Sequence, residues 1–196
     1  MTVFLIILVA YLIGSIPFGL VGKFFFKIED PRTFGSKNIG ATNVLRSGNK
    51  KAAAFTLFFD MFKGFIAVFI SSFIDNDLVY LAILSVVFGH IFPVYLLFKG
   101  GKGVATFLGA LVSYSAIVGS LTLLAWITVF YFTRKSSVAG ISAIVLSNLF
   151  LFVFCDSTSV KLSLLLLSIF ILFKHSENIK RLLNKEEFSF QGRDKN

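Results

Sequence analysis

The chain has 196 residues, of which 56% are hydrophobic, only 15% are charged and 26 are Phe. A mean hydropathy of +0.86 excludes an ordinary soluble domain, in which roughly a quarter of residues are charged. The net charge of +9 would point to nucleic acid in a soluble protein; here the cations follow membrane topology, and no nucleic-acid partner is expected.

In chain order, the first apolar run is Val3–Val21. Gly14-Ser15-Ile16-Pro17-Phe18-Gly19 interrupts it, and because Pro17 lacks a backbone donor a broken helix is predicted. The run has neither a basic n-region nor a clear small-residue cleavage site, so no cleaved signal peptide is expected. A polar loop from Lys23 to Lys51 follows, and it contains GSKNIGATNVLR, Gly35 to Arg46. Ser36, Asn38, Thr42 and Asn43 offer neutral hydrogen bonds, Lys37 and Arg46 offer charge, and Gly35 and Gly40 permit close approach. Ser36 is a candidate N-cap of a helical turn whose open amides receive an anion. The plainer alternative is a basic loop touching anionic lipid heads.

Ala52–Phe73 is the second span. Its Asp60 and Lys63, three residues apart, fit mutual neutralisation, with direct substrate contact as the alternative. Leu78–Phe98 is the third, and its His90 fits a core histidine or a site residue equally. Next comes KGGKGVAT, Lys99 to Thr106, where Gly100, Gly101, Lys102 and Gly103 precede a helix. Open amides, a helix N-terminus and a lysine then converge on an anion. The alternative is a flexible turn flanked by lysines. It is not a Walker A loop, because Gly103 rather than Ser or Thr follows Lys102.

Val104–Gly119 and Ser120–Thr133 fall short of the roughly 20 residues a span needs. A tilted helix pair and a re-entrant hairpin both fit them. Val138–Phe154 and Val160–Phe173 complete seven segments. The third polar cluster, HSENIKRL, runs from His175 to Leu182. Helical periodicity puts His175, Asn178, Ile179 and Leu182 on one face and leaves Glu177 and Arg181 as an exposed i,i+4 pair. Arg181 also lies within reach of a phosphate.

Under seven spans, every Lys and Arg except Lys63 and Lys161 falls on one side. The positive-inside rule then puts the N-terminus outside and the C-terminus in the cytoplasm. The expectation is an all-α membrane protein, a bundle of about seven transmembrane helices, two of them short. It forms one domain, 1–196, with a short cytoplasmic tail at 174–196. All three polar clusters share the cytoplasmic face.

Several chemistries are absent from the pattern. No paired carboxylates stand ready for acid–base work. His90 and His175 lack Cys or acidic partners at ligand spacing, and Cys155 is alone, so no metal site is expected. No Gly-x-Ser-x-Gly elbow is present, and neither histidine is followed five positions later by Asp. What remains is a set of cations, amides and hydroxyls suited to holding phosphates and stabilising an oxyanion. An anion transporter, with broken helices and the same cations, is the competing class.

The motifs at 14–19, 35–43, 89–93, 99–106 and 175–182, in this order and over nearly the whole chain, resemble the bacterial acyl-phosphate:glycerol-3-phosphate acyltransferases. The resemblance implies a multi-pass enzyme of the bacterial cell membrane that uses no cofactor. It implies acyl phosphate as donor, glycerol 3-phosphate as acceptor and membrane lipid as surroundings, with the first acylation of phospholipid synthesis as the reaction. By matching motif positions, Ser36, Lys102, His175 and Asn178 are catalytic. Arg46 and Lys102 hold phosphate, and His175 and Asn178 place glycerol 3-phosphate. Asn43, Gly40, Thr42, Gly100, Gly101, Gly103, Thr106 and Arg181 complete the substrate-binding set. Two positions depart from the family pattern: Lys37 stands where many members carry Gly, and Ser176 where many carry Arg.

Overall fold

The computed structural model describes residues 1–190. The last part of the expected tail, 191–196, lies outside them. Among the described residues the chain is helical, with no strand. The helices are α1 Thr2–Ser15, α2 Phe18–Phe26, α3 Ala41–Leu45, α4 Lys50–Ile74, α5 Val79–Ile91, α6 Val104–Tyr114, α7 Ala116–Thr133, α8 Ser136–Phe154, α9 Thr158–Lys174 and α10 Ser176–Leu183. Five stretches are long and apolar enough to cross a membrane: Thr2–Phe26, Lys50–Ile74, Asn76–Leu96, Ala116–Thr133 and Ser136–Phe154. Thr158–Lys174 with Ser176–Leu183, bent by 55°, makes a sixth if the pair is one span.

Each of the seven expected segments thus holds a helix, but several boundaries move: the first run continues to Phe26 rather than Val21, and α5 stops at Ile91, short of Phe98. The break between the fourth and fifth comes at Ser115, not after Gly119, because the Ser115 hydroxyl accepts from the Val118 amide and starts α7 there. The fifth segment consequently reaches 18 residues, and α6, with 11, is the short one.

The chain forms two compact units, Met1–Gly119 and Ser120–Asn196. In the first, α4 packs on α6 and α2, and α1 packs on α5. Small residues set the α4–α6 contact: a Cβ at Gly64 would overlap the Thr106 carbonyl, and one at Gly109 the Met61 carbonyl. Close backbone approach of this kind is the usual means of joining helices where lipid removes the hydrophobic drive. Ile83, Val86, Val87 and Ile91 of α5 and Phe107 and Leu111 of α6 are fully buried.

In the second unit α8 packs on α9, and Ala143, Ile144 and Leu151 of α8 and Leu164, Leu167 and Ile171 of α9 are buried. The Asn148 amide donates across to the Ser168 hydroxyl at 2.8 Å. Outward faces in both units stay apolar, as Phe4, Phe24, Phe73, Phe132 and Phe152 show. Exposed apolar surface on this scale belongs against lipid.

Candidate active site

The break in the first helix is real and is stabilised by a side chain. α1 stops at Ser15 and α2 begins at Phe18, because Pro17 has no N–H to continue the ladder. The Ile16 carbonyl left over accepts from the Lys63 ammonium at 2.8 Å. Lys63 is also paired with Asp60 at 2.7 Å, and Asp60 Oδ1 lies 3.5 Å from His90 Nδ1. All three side chains are at least 95% buried. Asp60 and Lys63 therefore form the structural pair, and His90 joins them.

His90 also shapes the second polar cluster. Its carbonyl accepts from the Gly101 amide at 3.1 Å, and the Ile91 carbonyl accepts from the Gly100 amide at 3.2 Å. A Cβ at Gly101 would overlap the His90 Nε2 atom. The open amides expected at Gly100 and Gly101 are thus engaged: they satisfy the last carbonyls of α5, which otherwise lack helical partners. Gly103, at φ +89°, ends the loop and stands at the N-cap of α6. Lys102 is half-buried between the two glycines, whereas Lys99 is exposed. Thr106 is fully buried where α6 meets α4.

The first cluster is organised around one side chain. Asn43 Nδ2 donates to the carbonyls of Pro31 at 2.6 Å, Asn38 at 2.9 Å and Phe34 at 3.2 Å. Its Oδ1 accepts from the Ser36 amide at 2.9 Å and from Arg46 Nη1 at 3.1 Å. Asn43 is buried, and it sets the positions of Ser36 and Arg46 together. The expected N-cap at Ser36 is not formed. Residues 34–37 make a turn, closed by the Lys37 amide on the Phe34 carbonyl, and the nearby helix α3 starts at Ala41 behind Gly40. Thr42 lies in the first turn of α3, half-buried.

Lys37 adopts φ +55°. That left-handed conformation suits Gly, the residue the resemblance implies at this position. Upstream, Asp30 anchors the loop. Its carboxylate accepts from Arg32 Nη2 at 2.8 Å and from Lys23 Nζ at 3.1 Å. The Arg32 hydrogen bond in particular holds its pKa well below the usual carboxylate range.

Contacts within the first unit connect the two clusters. A Cβ at Gly19 would overlap the Ile39 carbonyl, so the first loop rests on the start of α2. From the helix break beside it, Ile16, Lys63, Asp60 and His90 lead to Gly101.

The third cluster lies in the second unit. His175 ends α9, and its Nδ1 lies 2.7 Å from the Ile171 carbonyl. Since a carbonyl only accepts, Nδ1 carries the proton, and in the neutral ring Nε2 is the acceptor. His175 and Asn178 are both buried, as their shared face predicts. Ile179, expected beside them, is exposed instead. Arg181 does not pair with Glu177. Its Nε donates to Glu187 at 2.8 Å, and Asn178 Nδ2 donates to the same carboxylate at 2.7 Å. Sequence reading missed Glu187, because in the charged run Lys185-Glu186-Glu187 it looks solvated.

What these segments present is half-buried Arg46 and Lys102 beside hydrogen-bonding groups, suited to phosphate esters. Comparison with known proteins points the same way. The family described as Glycerol-3-phosphate acyltransferase matches residues 4–185. The protein of that name from Paraburkholderia phymatum is 42% identical over 189 residues, covering 93% of this chain and 90% of the relative. Its counterpart from Burkholderia orbicola is 44% identical over 193 residues, covering 95% and 92%. The crystal structure of PlsY (YgiH), an integral membrane glycerol 3-phosphate acyltransferase, in its glycerol 3-phosphate form superposes with a TM-score of 0.92 at 37% identity, covering 97% of this chain and 96% of that one. Its lysophosphatidic acid form gives a TM-score of 0.90 over the same shares. With sequence, fold and polar loops in agreement over nearly the full length, the chain belongs to the glycerol-3-phosphate acyltransferase family.

Proposed function

We propose that this protein transfers a fatty acyl group from acyl phosphate to glycerol 3-phosphate at the cytoplasmic face of a bacterial cell membrane. The products are 1-acyl-glycerol 3-phosphate and inorganic phosphate. The acceptor hydroxyl oxygen attacks the acyl carbon, the bond from that carbon to the phosphate oxygen breaks, and the hydroxyl proton leaves with the phosphate. An acyl phosphate is already activated, so the protein's work is placement and charge stabilisation.

The observation that carries this reading is the Ser36–Asn43–Arg46 arrangement. One buried amide fixes a guanidinium and a serine backbone in a loop whose chemistry suits a phosphate. Lys102 supplies the second cation, on a loop fixed by α5. His175 and Asn178 place the acceptor, and the Nδ1–H tautomer makes His175 Nε2 a hydrogen-bond acceptor. Ser36, Lys102, His175 and Asn178 act at the reacting groups. Gly40, Thr42, Gly100, Gly101 and Gly103 give the two loops their shape, and Thr106 and Arg181 complete the substrate-binding set.

The charge distribution supports an N-terminus outside and seven membrane segments, with residues from 174 onward in the cytoplasm. The oily donor then enters from lipid and glycerol 3-phosphate from the cytosol. Membership in an acyltransferase family does not favour the anion transporter. The test is Arg46→Ala and Lys102→Ala in purified protein. Each is expected to lose about 100-fold or more in turnover with helicity retained; wild-type turnover in either variant would remove that residue from the site.

A further inference from the structure

The last described segment folds back on α10. The Glu186 amide donates to the Arg181 carbonyl at 2.8 Å, and the Phe190 amide donates to the Arg134 carbonyl at 2.7 Å. The Arg181 guanidinium lies over the Phe188 ring at 5.3 Å. This path brings Glu187 to Asn178 and Arg181, with its side chain only 4% exposed. The family match ends at residue 185, so Glu187 lies beyond the matched region. A buried carboxylate without a part in acyl transfer calls for a physical reason.

We propose that Glu187 is a positioning residue for Asn178, fixing its amide so that it meets glycerol 3-phosphate with the carbonyl oxygen, as an acceptor for a glycerol hydroxyl. The inference rests on the acylation reading above. A primary amide has donors at one end and an acceptor at the other, and the two ends exchange by a half-turn. A carboxylate only accepts, so it faces Nδ2, and the flipped amide would set oxygen against oxygen. The carbonyl end of Asn178 is therefore the end turned away from Glu187. Arg181 holds the carboxylate through Nε at 2.8 Å, which offsets its own charge and leaves phosphate binding to other cations. Burial pushes the Glu187 carboxyl up, but the hydrogen bonds from Asn178, Ser137 and Arg181 outweigh this and hold its pKa below the ordinary range.

The test is the KM for glycerol 3-phosphate and for palmitoyl phosphate in full-length wild type, Glu187→Gln, Glu187→Ala, Glu187→Asp and Arg181→Ala. Glu187→Gln keeps an oxygen for Asn178 Nδ2, and part-exposed Arg181 turns away from the new amide nitrogen. Its KM for glycerol 3-phosphate is expected within about twofold of wild type. Glu187→Ala is expected to raise that KM about tenfold, the scale of a lost charge-assisted hydrogen bond, without moving the KM for the donor. Arg181→Ala is expected to raise it less. Glu187→Asp keeps the charge but is one methylene short of Asn178; it carries the same expectation as Glu187→Ala should that variant fail to fold.

An unchanged KM in Glu187→Ala and Glu187→Asp would overturn the proposal. So would Glu187→Gln as impaired as Glu187→Ala, or donor and acceptor KM rising together. Wild type that binds glycerol 3-phosphate in calorimetry without acylating it would sink the acylation reading instead. The same comparison of Kd across the variants would then still decide the role of Glu187.

Discussion

Lys63 donates to the carbonyl oxygen of Ile16 across 47 positions of sequence, at 2.8 Å. The contact joins the middle of α4 to the break that Pro17 makes in the first helix. Asp60 compensates the lysine's charge from one turn away, and His90 completes the group. A charge at this depth is costly unless paired, and an unwound carbonyl is costly unless it accepts a hydrogen bond. The arrangement meets both requirements at once.

Removing one partner should thus hurt more than removing the pair. Asp60→Ala is expected to cost about 3–5 kcal/mol, because it leaves the Lys63 ammonium buried and uncompensated. Asp60→Asn/Lys63→Met, which removes both charges, is expected to cost less than that single change. Thermal unfolding midpoints in detergent order the variants; a double variant less stable than Asp60→Ala would show that the ion pair is not the reason for the cost.

Gly101 lies against the His90 ring. Gly101→Ala is expected to displace the loop and Lys102 with it, lowering turnover by about 10- to 100-fold, the scale of an ångström-sized misplacement. His90→Ala opens space for the new methyl group, so the double variant should be less impaired in turnover than Gly101→Ala. Activity in Gly101→Ala equal to wild type would show that the loop tolerates the shift.

Asn43 ties Ser36 and Arg46 to three backbone carbonyls. Asn43→Asp keeps the acceptor oxygen and loses both donors, setting a carboxylate against carbonyls. Turnover should fall at least as far as in Arg46→Ala, while circular dichroism reports α4 and its neighbours intact. Near-normal turnover in Asn43→Asp would separate the loop's order from catalysis.

The Asp30 pair gives a pH signature. Its folded pKa is depressed below the ordinary 3.8, so its contribution to stability is present above that value. It is lost as pH falls through the folded value. Asp30→Asn is expected to lower the unfolding midpoint at pH 7 and to narrow the gap to wild type as pH drops below about 3.8. A gap that widens with acid would contradict the assigned ion pairs with Arg32 and Lys23.

Much of this was legible in the sequence, for reasons that can be named. Long apolar runs have one use, so the spans and the break at Pro17 followed directly. The burial of His175 and Asn178 followed from helical spacing. The Asp60–Lys63 pair followed from a three-residue separation inside lipid. What local pattern cannot carry is long-range partnership. The amides of Gly100 and Gly101 look open until α5 ends beside them, and Ser36 looks like an N-cap until Asn43 takes its amide into a turn. Arg181 looks paired with Glu177 because spacing along a helix is visible, whereas the return of 185–190 to its true partner Glu187 is not.

The donor is decided by offering purified protein glycerol 3-phosphate with palmitoyl phosphate in one reaction and palmitoyl-CoA in another. Phosphate release and lysophosphatidic acid are followed in both. Acyl transfer from acyl phosphate gives product in the first reaction alone; product from the thioester, or from neither donor with the fold intact, would contradict it.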